Sequence, residues 1–395
     1  MTRTQVGIVG AGPSGLILAH MLRLRGIESV IVEVRTREYC EQRVRAGVLE
    51  HDAANLLEEI GVGERMRREG LVHRGIILRF DRRDHRIDLA GLTGGRTITV
   101  YGQHEVIKDL IAAALSDNQR ILFEAADVTV EDRASAAPMI RFRHESTPET
   151  IECDFIAGCD GFHGVCRPSI PAGVLSFHEK QYPFAWLGIL AAAPPASEEL
   201  VYTRHERGFA LLSMRSPEIT RLYLQCPPDE SLDNWPDARI WAELRDRFAR
   251  NESWTLNEGP ILQRGITPMR SFVADPMQHG RLFLVGDAAH IVPPTGAKGM
   301  NLAIADVRVL ADALTTFYER GSTDLLDRYS TTCLRRVWNV QRFSGWMTQI
   351  LHRTADDPFL DRIHLAELDY VTTSTAAATT LAENYVGLPF ERVVS

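Results

Sequence analysis

The N-terminal segment restricts the fold most strongly, because it combines a strand, a glycine loop, a helix and a second strand. A run of β-forming residues leads into Gly10, Gly12 and Gly15, after which apolar residues recur at helical spacing. The second strand, at 29–32, ends at Glu33. Glycines so placed permit a tight turn and a close approach to pyrophosphate, and the acid can hold a ribose hydroxyl pair. The unit predicts dinucleotide binding, with a purely structural βαβ unit as the alternative.

A second informative stretch covers residues 281–301. It predicts a short apolar strand, a turn at Asp287, a loop stiffened by Pro293 and Pro294, and the start of a helix. A carboxylate just after a strand can accept hydrogen bonds from a chain of hydroxyls. The glycine-rich first turn of the helix offers free N–H groups to an anion such as a reduced flavin ring. The alternative is an ordinary strand, loop and core helix.

Composition and charge describe a globular enzyme that is large enough for two interlocked domains. The formal net charge of −8 argues against a general nucleic-acid or anionic-membrane binder, because both need a positive field. The 6 cysteines lack the paired short spacing of a zinc or dithiol site, so we expect no metal and a reduced, cytoplasmic setting. No apolar run approaches the roughly 18 residues of a membrane span, and the N-terminus does not resemble a signal peptide.

Antiparallel strands between 182 and 226 suggest a sheet that is inserted between nucleotide-binding segments. Ser213 and Arg215 are two residues apart and therefore point to one face, as do Arg221 and Tyr223 on the next strand. Hydroxyls and a guanidinium on one face predict a carboxylate clamp. The alternative is that these polar residues form the solvated side of the sheet.

Other features are ambiguous from the residues alone. Asp160 begins an acid–glycine turn after a predicted strand, and such a turn need have no ligand. Arg35 and Arg37 suit phosphate recognition, but an arginine pair on a surface loop is more often solvated. His73 lies between apolar residues, where a histidine is usually structural. The bulky apolar residues at 338–351 predict core packing or a subunit interface.

Taken together, the glycine loop with Glu33 and the two acid–glycine turns resemble the fingerprints of the class A flavoprotein aromatic hydroxylases. The resemblance extends along essentially the whole chain. It implies an α/β fold with a Rossmann-like FAD-binding domain, an inserted antiparallel β-sheet substrate domain and a helical C-terminal region. The segments that carry it are 10–15, 43–50, 158–164, 276–281, 286–287, 290–298 and 383–389.

The family fold implies a chain that passes repeatedly between the two domains. The FAD-binding domain is expected at 1–73, 101–180 and 271–318. The substrate domain is expected at 74–100 and 181–270, and a helical dimerisation region at 319–395.

The resemblance implies that FAD is bound by the N-terminal unit, with Glu33 on the adenosine ribose and Asp287 on the ribityl chain. The flavin ring is expected against the loop at Pro294 and the start of the following helix. The implied FAD contacts are Gly10, Gly12, Ser14, Gly15, Glu33, Arg43, Arg45, Val48, Gln103, Asp160, Asp287, Gly296, Lys298, Gly299, Met300 and Asn301.

The resemblance also implies that 4-hydroxybenzoate and dioxygen give 3,4-dihydroxybenzoate through a flavin hydroperoxide. Ser213, Arg215 and Tyr223 match the family's clamp on the substrate carboxylate, whereas Tyr202 and the carbonyl of Pro294 match the partners of its hydroxyl. The transferred oxygen is electrophilic, so the ring must be activated as a phenolate. The groups that would orient the hydroxyl or carry its proton to solvent are Tyr202, Tyr385, His73 and Pro294.

The implied reductant is NADPH in preference to NADH. Members of this family have no separate nucleotide domain for it, and the phosphates would be bound from the surface. The implied NADPH-binding residues are Arg35, Arg45, His163, Arg167 and Arg270. The resemblance further implies a homodimer.

Three alternatives stay open. A hydroxylase for another benzoate, such as the 3-hydroxy isomer, would share the fold, although the full set of clamp and relay residues favours the 4-isomer. A disulfide-type flavin reductase needs a cysteine pair close to the first helix, and the sequence has none there. A flavin-binding regulator without catalysis would not need both a clamp and a proton relay.

Overall fold

Three β-sheets surrounded by helices are formed by residues 2–45, 47–354 and 357–390, which are the residues described by this computed structural model. The predicted α/β architecture, with an inserted and mainly antiparallel sheet and a helical C-terminal region, is confirmed. Among these residues, no helix is both long and apolar enough to cross a membrane. Within the same ranges, no group of three or more His, Cys, Asp or Glu side chains is arranged to hold a metal ion.

The strands range from short bridges to the long pair that spans the substrate sheet. In chain order they are β1 (Thr2–Val9), β2 (Ser29–Val32), β3 (Val48–Leu49), β4 (Leu71–His73), β5 (Ile76–Phe80), β6 (Arg83–Ile87), β7 (Ile98–Val100), β8 (Arg120–Leu122), β9 (Ala126–Glu131), β10 (Met139–His144), β11 (Thr147–Gly158), β12 (Ser176–Ala191), β13 (Val201–Thr203), β14 (Ala210–Ser216), β15 (Ile219–Cys226), β16 (Ile261–Asp275), β17 (Gln278–His279), β18 (Leu282–Leu284) and β19 (His290–Ile291).

The two longest described helices, α9 and α11, lie in the C-terminal third of the chain. In chain order they are α1 (Pro13–Leu24), α2 (Arg37–Gln42), α3 (His51–Glu59), α4 (Glu64–Glu69), α5 (Leu89–Leu92), α6 (Gln103–Ser116), α7 (Cys166–Ser169), α8 (Asp237–Arg247), α9 (Gly299–Arg320), α10 (Asp324–Asp327), α11 (Tyr329–Leu351), α12 (Pro358–Thr373) and α13 (Thr375–Val386). Short 3-10 turns lie at Leu232–Asn234, Gly286–Ala288 and Pro294–Gly296.

The first sheet is organised around β1, which pairs in parallel with β2 and β11. Val9 lies opposite both Val32 and Gly158, so these strands end at one edge of the sheet. Strand β18 continues the parallel pairing beyond β11. The glycine loop, Glu33 and the two acid–glycine turns therefore meet at the carboxyl edge, where open parallel sheets bind ligands.

Helix α9 lies against this sheet and positions one wall of the site. Its apolar residues recur at helical spacing, and Leu302, Ile304 and Leu310 are buried in the core that also contains β1 and α1. The helix ends at Gly321, whose φ of 70° is the left-handed conformation that commonly follows a helix C-terminus. The sequence prediction of a helix starting at 299 is confirmed.

The second sheet has the order β19-β16-β12-β15-β14-β13-β5-β6 and is antiparallel except between β13 and β5. Strand β15 alternates strictly between buried and half-buried residues. Leu222 and Leu224 face a core shared with Trp241 of α8. Arg221 and Tyr223 point to the opposite face, and Tyr223 packs against the core that includes residues of α11 and α13. The predicted clamp face is therefore enclosed between the sheet and the C-terminal helices.

The domain boundaries drawn from the sequence stay predictions. Strand β12 continues through the boundary placed at 180/181, and β16 continues through the one at 270/271. These two strands pair along most of their lengths. They form the connection through which the chain passes from one sheet to the other.

Candidate active site

The glycine loop after β1 is shaped by close backbone contacts. Gly10 has a φ of 106°, and a Cβ there would lie 2.4 Å from the carbonyl oxygen of Cys159. A Cβ on Gly15 would lie 2.0 Å from the carbonyl oxygen of Gly10. At Gly12, which precedes α1 and provides no side-chain cap, a Cβ would meet no atom within 4 Å. The loop is tight on its protein side and open at the helix N-terminus, as a pyrophosphate cradle requires.

Glu33 is buried and held by two backbone amides. Its Oε2 accepts a hydrogen bond from the amide of Ala11 at 2.7 Å, and its Oε1 accepts one from Arg35 at 2.7 Å. A carboxylate oxygen can accept more than one hydrogen bond. The side chain is therefore fixed in place while retaining acceptor capacity for ribose hydroxyls.

The turn that carries Asp287 is held by a buried ion pair. Asp306 of α9 accepts hydrogen bonds from the amide of Gly286 at 3.0 Å and from Nε2 of His290 at 2.6 Å. Burial opposes charge on His290, but the adjacent Asp306 outweighs it and the pKa of the imidazole is raised. Asp287 itself is exposed. A Cβ on Gly286 would lie 2.9 Å from Oγ of Ser14, which shows how closely this turn approaches the glycine loop.

Asp160, in contrast, is directed into its own turn. Its Oδ2 accepts a hydrogen bond from the amide of Cys166 at 2.8 Å, while Oδ1 is buried and has no hydrogen-bond partner among the described residues. A Cβ on Gly164 would overlap the carboxyl group. Burial raises the pKa of Asp160. In this structure the residue orders the turn, and its contact with FAD stays a prediction.

The residues at the start of α9 connect distant segments of the chain. Nζ of Lys298 donates to Oε1 of Glu50 at 2.7 Å and to the carbonyl oxygens of Asn384 at 2.5 Å and Tyr385 at 2.9 Å. Burial lowers the pKa of Lys298, and the Glu50 carboxylate partly opposes this shift. Asn301 accepts a hydrogen bond from the amide of Glu50 at 2.9 Å. Lys298 thus uses its three donors within the protein, and its charge is paired with the Glu50 carboxylate.

The other residues that the resemblance implies for FAD binding lie near the start of α9, at the start of α6 and beside Tyr39. Asn301 donates to the carbonyl of Val48 at 2.9 Å, which joins α9 to β3. Gln103 is the first residue of α6 and is half-buried. Arg45 is exposed, and the guanidinium of Arg43 lies 5.6 Å from the ring centre of Tyr39. Gly296, Gly299 and Met300 lie in the turn and first helical residues that follow Pro294.

Two arginines face the interior from the second sheet. Nη1 of Arg215 donates to Oγ of Ser213 at 3.1 Å and to the carbonyl of Met214 at 2.9 Å, while its buried Nε has no hydrogen-bond partner among the described residues. Burial lowers the pKa of Arg215, Tyr223 opposes that shift, and the charge of Arg221 adds to it. Nε and Nη1 of Arg221 are likewise buried without a described hydrogen-bond partner. Such unpaired N–H groups are costly to bury, and an anionic ligand would satisfy them.

Arg221 was not assigned to the clamp from the sequence, although its signal was present. It has the same alternation as Tyr223, and its guanidinium lies 5.2 Å from the centre of that ring. It also lies opposite Ser213 in the strand register. The structure therefore adds a second cation to the predicted clamp.

Two buried tyrosines are paired in the core against which Tyr223 packs. The hydroxyls of Tyr202 and Tyr385 lie 2.6 Å apart, and both residues are 1% exposed. Burial raises the pKa of each phenol, so both are neutral at physiological pH. His73 is also buried, and burial lowers its pKa to about 4. Neither ring nitrogen of His73 has a hydrogen-bond partner within the described ranges, so this structure does not join it to the tyrosine pair.

The carbonyl of Pro294 accepts a hydrogen bond from the amide of Ala297 at 2.9 Å, which closes the turn before α9. Ala297 has a φ of 54°, so the chain reverses sharply here. A carbonyl has two lone pairs, and the second stays available to a ligand hydroxyl.

Three of the five implied NADPH residues, His163, Arg167 and Arg270, gather around the ring of Phe162. The guanidiniums of Arg167 and Arg270 lie 4.5 and 4.9 Å from the ring centre of Phe162, and the His163 ring packs edge-on against it at 5.0 Å. Arg167 also donates to the carbonyls of Ala288 and Phe162 at 2.8 and 2.6 Å. Arg35 lies in a separate exposed cluster, 5.2 Å from the ring centre of Tyr39.

The family is established by comparison with known proteins. The family described as "FAD binding domain" matches residues 3–344. The chain belongs to this family and is a class A flavoprotein aromatic hydroxylase.

The chain is 49% identical over 390 residues to a p-hydroxybenzoate hydroxylase of Acinetobacter baylyi, covering 98% of this chain and 96% of the relative. A 3-(3-hydroxy-phenyl)propionate/3-hydroxycinnamic acid hydroxylase of Mycobacterium avium is 26% identical over 344 residues, covering 82% of this chain and 57% of the relative. The crystal structure of a p-nitrophenol 4-monooxygenase from Pseudomonas putida is 18% identical and has a TM-score of 0.82, with 98% and 100% of the two chains covered. This structural likeness shows the fold alone.

Proposed function

We propose that this flavoprotein hydroxylates 4-hydroxybenzoate to 3,4-dihydroxybenzoate, with NADPH as electron donor and dioxygen as oxidant. The observation that carries the proposal is that two chemically different groups lie at the same core: Arg215, with an unpaired N–H group, beside Tyr223, and the buried phenols of Tyr202 and Tyr385. We place the arginine clamp at the carboxylate end of the substrate and the phenols at its hydroxyl end. The name of the Acinetobacter baylyi relative supports the same substrate.

The clamp end suits a carboxylate. Arg215 provides a planar set of donors, the hydroxyl of Ser213 is already within 3.1 Å of it, and Tyr223 adds a phenolic donor. Arg221 brings a second positive charge to the same face. A benzoate held here would satisfy buried N–H groups that the protein leaves unpaired, and its ring would be fixed at one end.

The phenol end suits activation of the substrate hydroxyl. Tyr202 would accept the hydroxyl proton and pass its own to Tyr385, which is already within hydrogen-bond distance. Both tyrosines stay neutral, so the pair relays a proton without accumulating charge. Removing this proton makes the ring carbon ortho to the oxygen nucleophilic. Pro294 would orient the hydroxyl through its carbonyl, and His73 would complete the path to solvent after a local rearrangement.

The FAD would be held along the carboxyl edge of the first sheet. Gly10, Gly12 and the N-terminus of α1 would hold its pyrophosphate, Glu33 its adenosine ribose and Asp287 its ribityl chain. When bound, FAD supplies the redox chemistry that transfers one oxygen atom of dioxygen to the ring. The first turn of α9 presents the positive end of a helix dipole, which favours an anionic flavin.

The function is tested by following NADPH and NADH oxidation in air with and without 4-hydroxybenzoate, while quantifying 3,4-dihydroxybenzoate and hydrogen peroxide. We expect strong stimulation by the substrate, with product equal to the NADPH consumed. Stimulation that yields mainly peroxide would show that 4-hydroxybenzoate is only an effector, and the 3-hydroxy isomer would be tested next. If NADPH does not bleach the bound flavin at all, the protein is a regulator.

For the NADPH preference, we propose that Arg35 contacts the 2'-phosphate. Arg35 is exposed, and its backbone amide donates to Glu33, two residues earlier, at 2.7 Å. A charge-assisted hydrogen bond contributes about 1.5–3 kcal/mol, so Arg35→Glu should raise KM for NADPH roughly 10- to 100-fold. KM for NADH should change by less than about threefold, because NADH lacks this phosphate. Arg68→Glu, on the exposed face of α4, is the charge-reversal control. If Arg35→Glu changes KM for NADPH and KM for NADH equally, Arg35 does not contact the 2'-phosphate.

We also propose a homodimer in a cytoplasmic setting, in which the buried cysteine thiols stay reduced. Helix α12 supports self-association because it exposes Phe359 by 77%, Ile363 by 51% and Tyr370 by 56%. Neighbouring exposed apolar side chains typically mark an interface. Ile363→Glu should convert a particle of twice the chain mass into monomers in light scattering. A wild-type protein that is monomeric at micromolar concentration would contradict the proposal.

A further inference from the structure

A buried aromatic cluster lies behind both ends of the proposed substrate pocket, with the imidazole of His352 at its centre. This ring is fully buried and stacks on Phe184 at 4.5 Å and on Phe209 at 4.3 Å between ring centres. Phe209 packs against Tyr202 at 6.2 Å, so it reaches the phenol end. His352 is thus one ring removed from a proposed proton-relay residue.

The same imidazole reaches the clamp end through Trp186. The indole Nε1 donates to Nε2 of His352 at 2.7 Å, and the two rings are nearly parallel. Trp186 packs against Tyr223 at 4.8 Å between ring centres. The orientation of the indole, and through it that of Tyr223, is therefore held by the hydrogen bond to His352 together with stacking on Phe209 at 5.1 Å between ring centres.

The chemistry of its partners fixes the tautomer of His352. An indole N–H can only donate, so Nε2 must be the acceptor; a carbonyl can only accept, so Nδ1 must donate to Thr348, which lies 2.8 Å away. Burial lowers the pKa of His352 to about 3, so the ring is neutral near physiological pH. Both nitrogens are satisfied, and neither is free for proton transfer.

The backbone beside His352 is anchored to the sheet that carries the clamp. Oε1 of Gln225, two residues after Tyr223, accepts hydrogen bonds from the amides of Phe209 at 3.0 Å and Arg353 at 3.2 Å. Nε2 of Gln225 donates to the carbonyl of Arg353 at 2.5 Å. His352 therefore has little freedom to move independently of β14 and β15.

Helix α11, which ends immediately before His352, also contacts the loop of Pro294. The hydroxyls of Thr348 and Thr295 lie 2.9 Å apart, and the Thr348 hydroxyl donates to the carbonyl of Ser344 at 2.6 Å. A hydroxyl has one proton, so Thr295 is the donor to Thr348. One buried stripe on α11 thus connects the proposed flavin loop to the aromatic cluster.

We propose that His352 is a positioning residue that sets the spacing and orientation of Tyr202 and Tyr223, and so determines how well a para-hydroxylated benzoate spans the pocket. It contacts neither substrate nor FAD, and acts through Phe209 and Trp186. The inference rests on the proposed function, because the two tyrosines are assigned there to opposite ends of the substrate.

The test is a cycle of His352→Phe, Trp186→Phe and the double variant in the FAD-loaded enzyme. His352→Phe keeps a stacked ring but leaves the buried indole N–H without an acceptor, so the indole must move. We expect KM for 4-hydroxybenzoate to rise about tenfold and the ratio of product to peroxide to fall severalfold. The double variant removes the donor and the acceptor together. Compared with His352→Phe, it should therefore bring both KM for 4-hydroxybenzoate and the ratio of product to peroxide most of the way back to the wild-type values.

His85→Phe is the matched control, since His85 stacks on Phe80 at the far edge of the same sheet. It should leave KM and coupling unchanged. His352→Gln, whose side-chain oxygen can accept from the indole, should retain KM within about threefold and also serves if His352→Phe does not fold. A fall in Tm with unchanged KM and coupling in His352→Phe, or no recovery in the double variant, overturns the inference. Absence of product from the wild-type enzyme would instead overturn the proposed function.

Discussion

Replacing Arg215 with glutamine is expected to raise KM for 4-hydroxybenzoate roughly 100-fold while FAD stays bound. Removing one partner of a buried charge pair costs about 2–5 kcal/mol, and each 1.4 kcal/mol is about a tenfold change in affinity. Arg215 lies at the centre of the proposed clamp, between Ser213 and Tyr223. The measurement is substrate titration followed by the flavin absorbance, together with steady-state KM.

Comparing a charged ligand with a neutral one tests whether Arg215 recognises the negative charge of the carboxylate. The neutral analogue 4-hydroxybenzamide should bind the wild-type enzyme weakly and should lose much less affinity than the benzoate in Arg215→Gln. Ser213→Ala, which removes one neutral partner, should cost about 1 kcal/mol, or roughly fivefold. Equal losses for benzoate and benzamide would mean that Arg215 supports the fold of the sheet and does not recognise the carboxylate.

Much of the framework could be predicted from the sequence because it depends on local pattern. A glycine loop between a strand and a helix has few alternative structures, and parallel pairing of β1 with β2 and β11 then brings the fingerprints to one edge. The period of two likewise predicts Ser213 and Arg215 on one face. The register with β15 shifts between Met214 and Ser216, yet Arg215 still donates to Oγ of Ser213 at 3.1 Å. The same rule included Arg221, which the sequence interpretation left outside the clamp.

The side-chain network of the site could not be predicted, because it depends on residues far apart in the chain. Lys298 pairs with Glu50 across 248 positions, and Tyr202 meets Tyr385 across 183. No periodicity encodes such pairs. His352 shows the limit most clearly, since its role depends on aromatic residues from two strands that meet only in the folded sheet.

Asp160 and His73 show a different limit. A carboxylate after a strand can bind a ligand or order its own turn, and only the position of the Cys166 amide shows that the turn uses it here. The resemblance assigns His73 to a proton path, whereas the described structure buries both ring nitrogens without partners. A relay through His73 therefore requires movement near β4 that a sequence motif cannot encode.

The removal of one oxygen atom, in Tyr202→Phe, should abolish most hydroxylation while substrate binding persists. General acid–base groups typically contribute about 10²- to 10⁴-fold, so product formation should fall by roughly 100-fold or more with KM changed less than about threefold. NADPH oxidation should continue and yield hydrogen peroxide, because the clamp still binds the benzoate. Raising the pH towards the phenol pKa of the substrate should partly restore product, since solvent then supplies the phenolate.

Measuring Tm and product yield in matched variants distinguishes a structural role of the tyrosine pair from a catalytic role. Tyr202→Phe leaves the Tyr385 hydroxyl buried without its 2.6 Å partner, which costs about 1–3 kcal/mol and lowers Tm. Tyr202→Phe combined with Tyr385→Phe removes both hydroxyls, so it should regain part of the Tm that is lost in Tyr202→Phe alone. Product yield should stay low, because the hydroxyl of the substrate still has no tyrosine to accept its proton. Product recovery in parallel with Tm would show that the tyrosine pair is structural. A full product yield in Tyr202→Phe would exclude it from the relay and leave the carbonyl of Pro294 as the group that orients the hydroxyl.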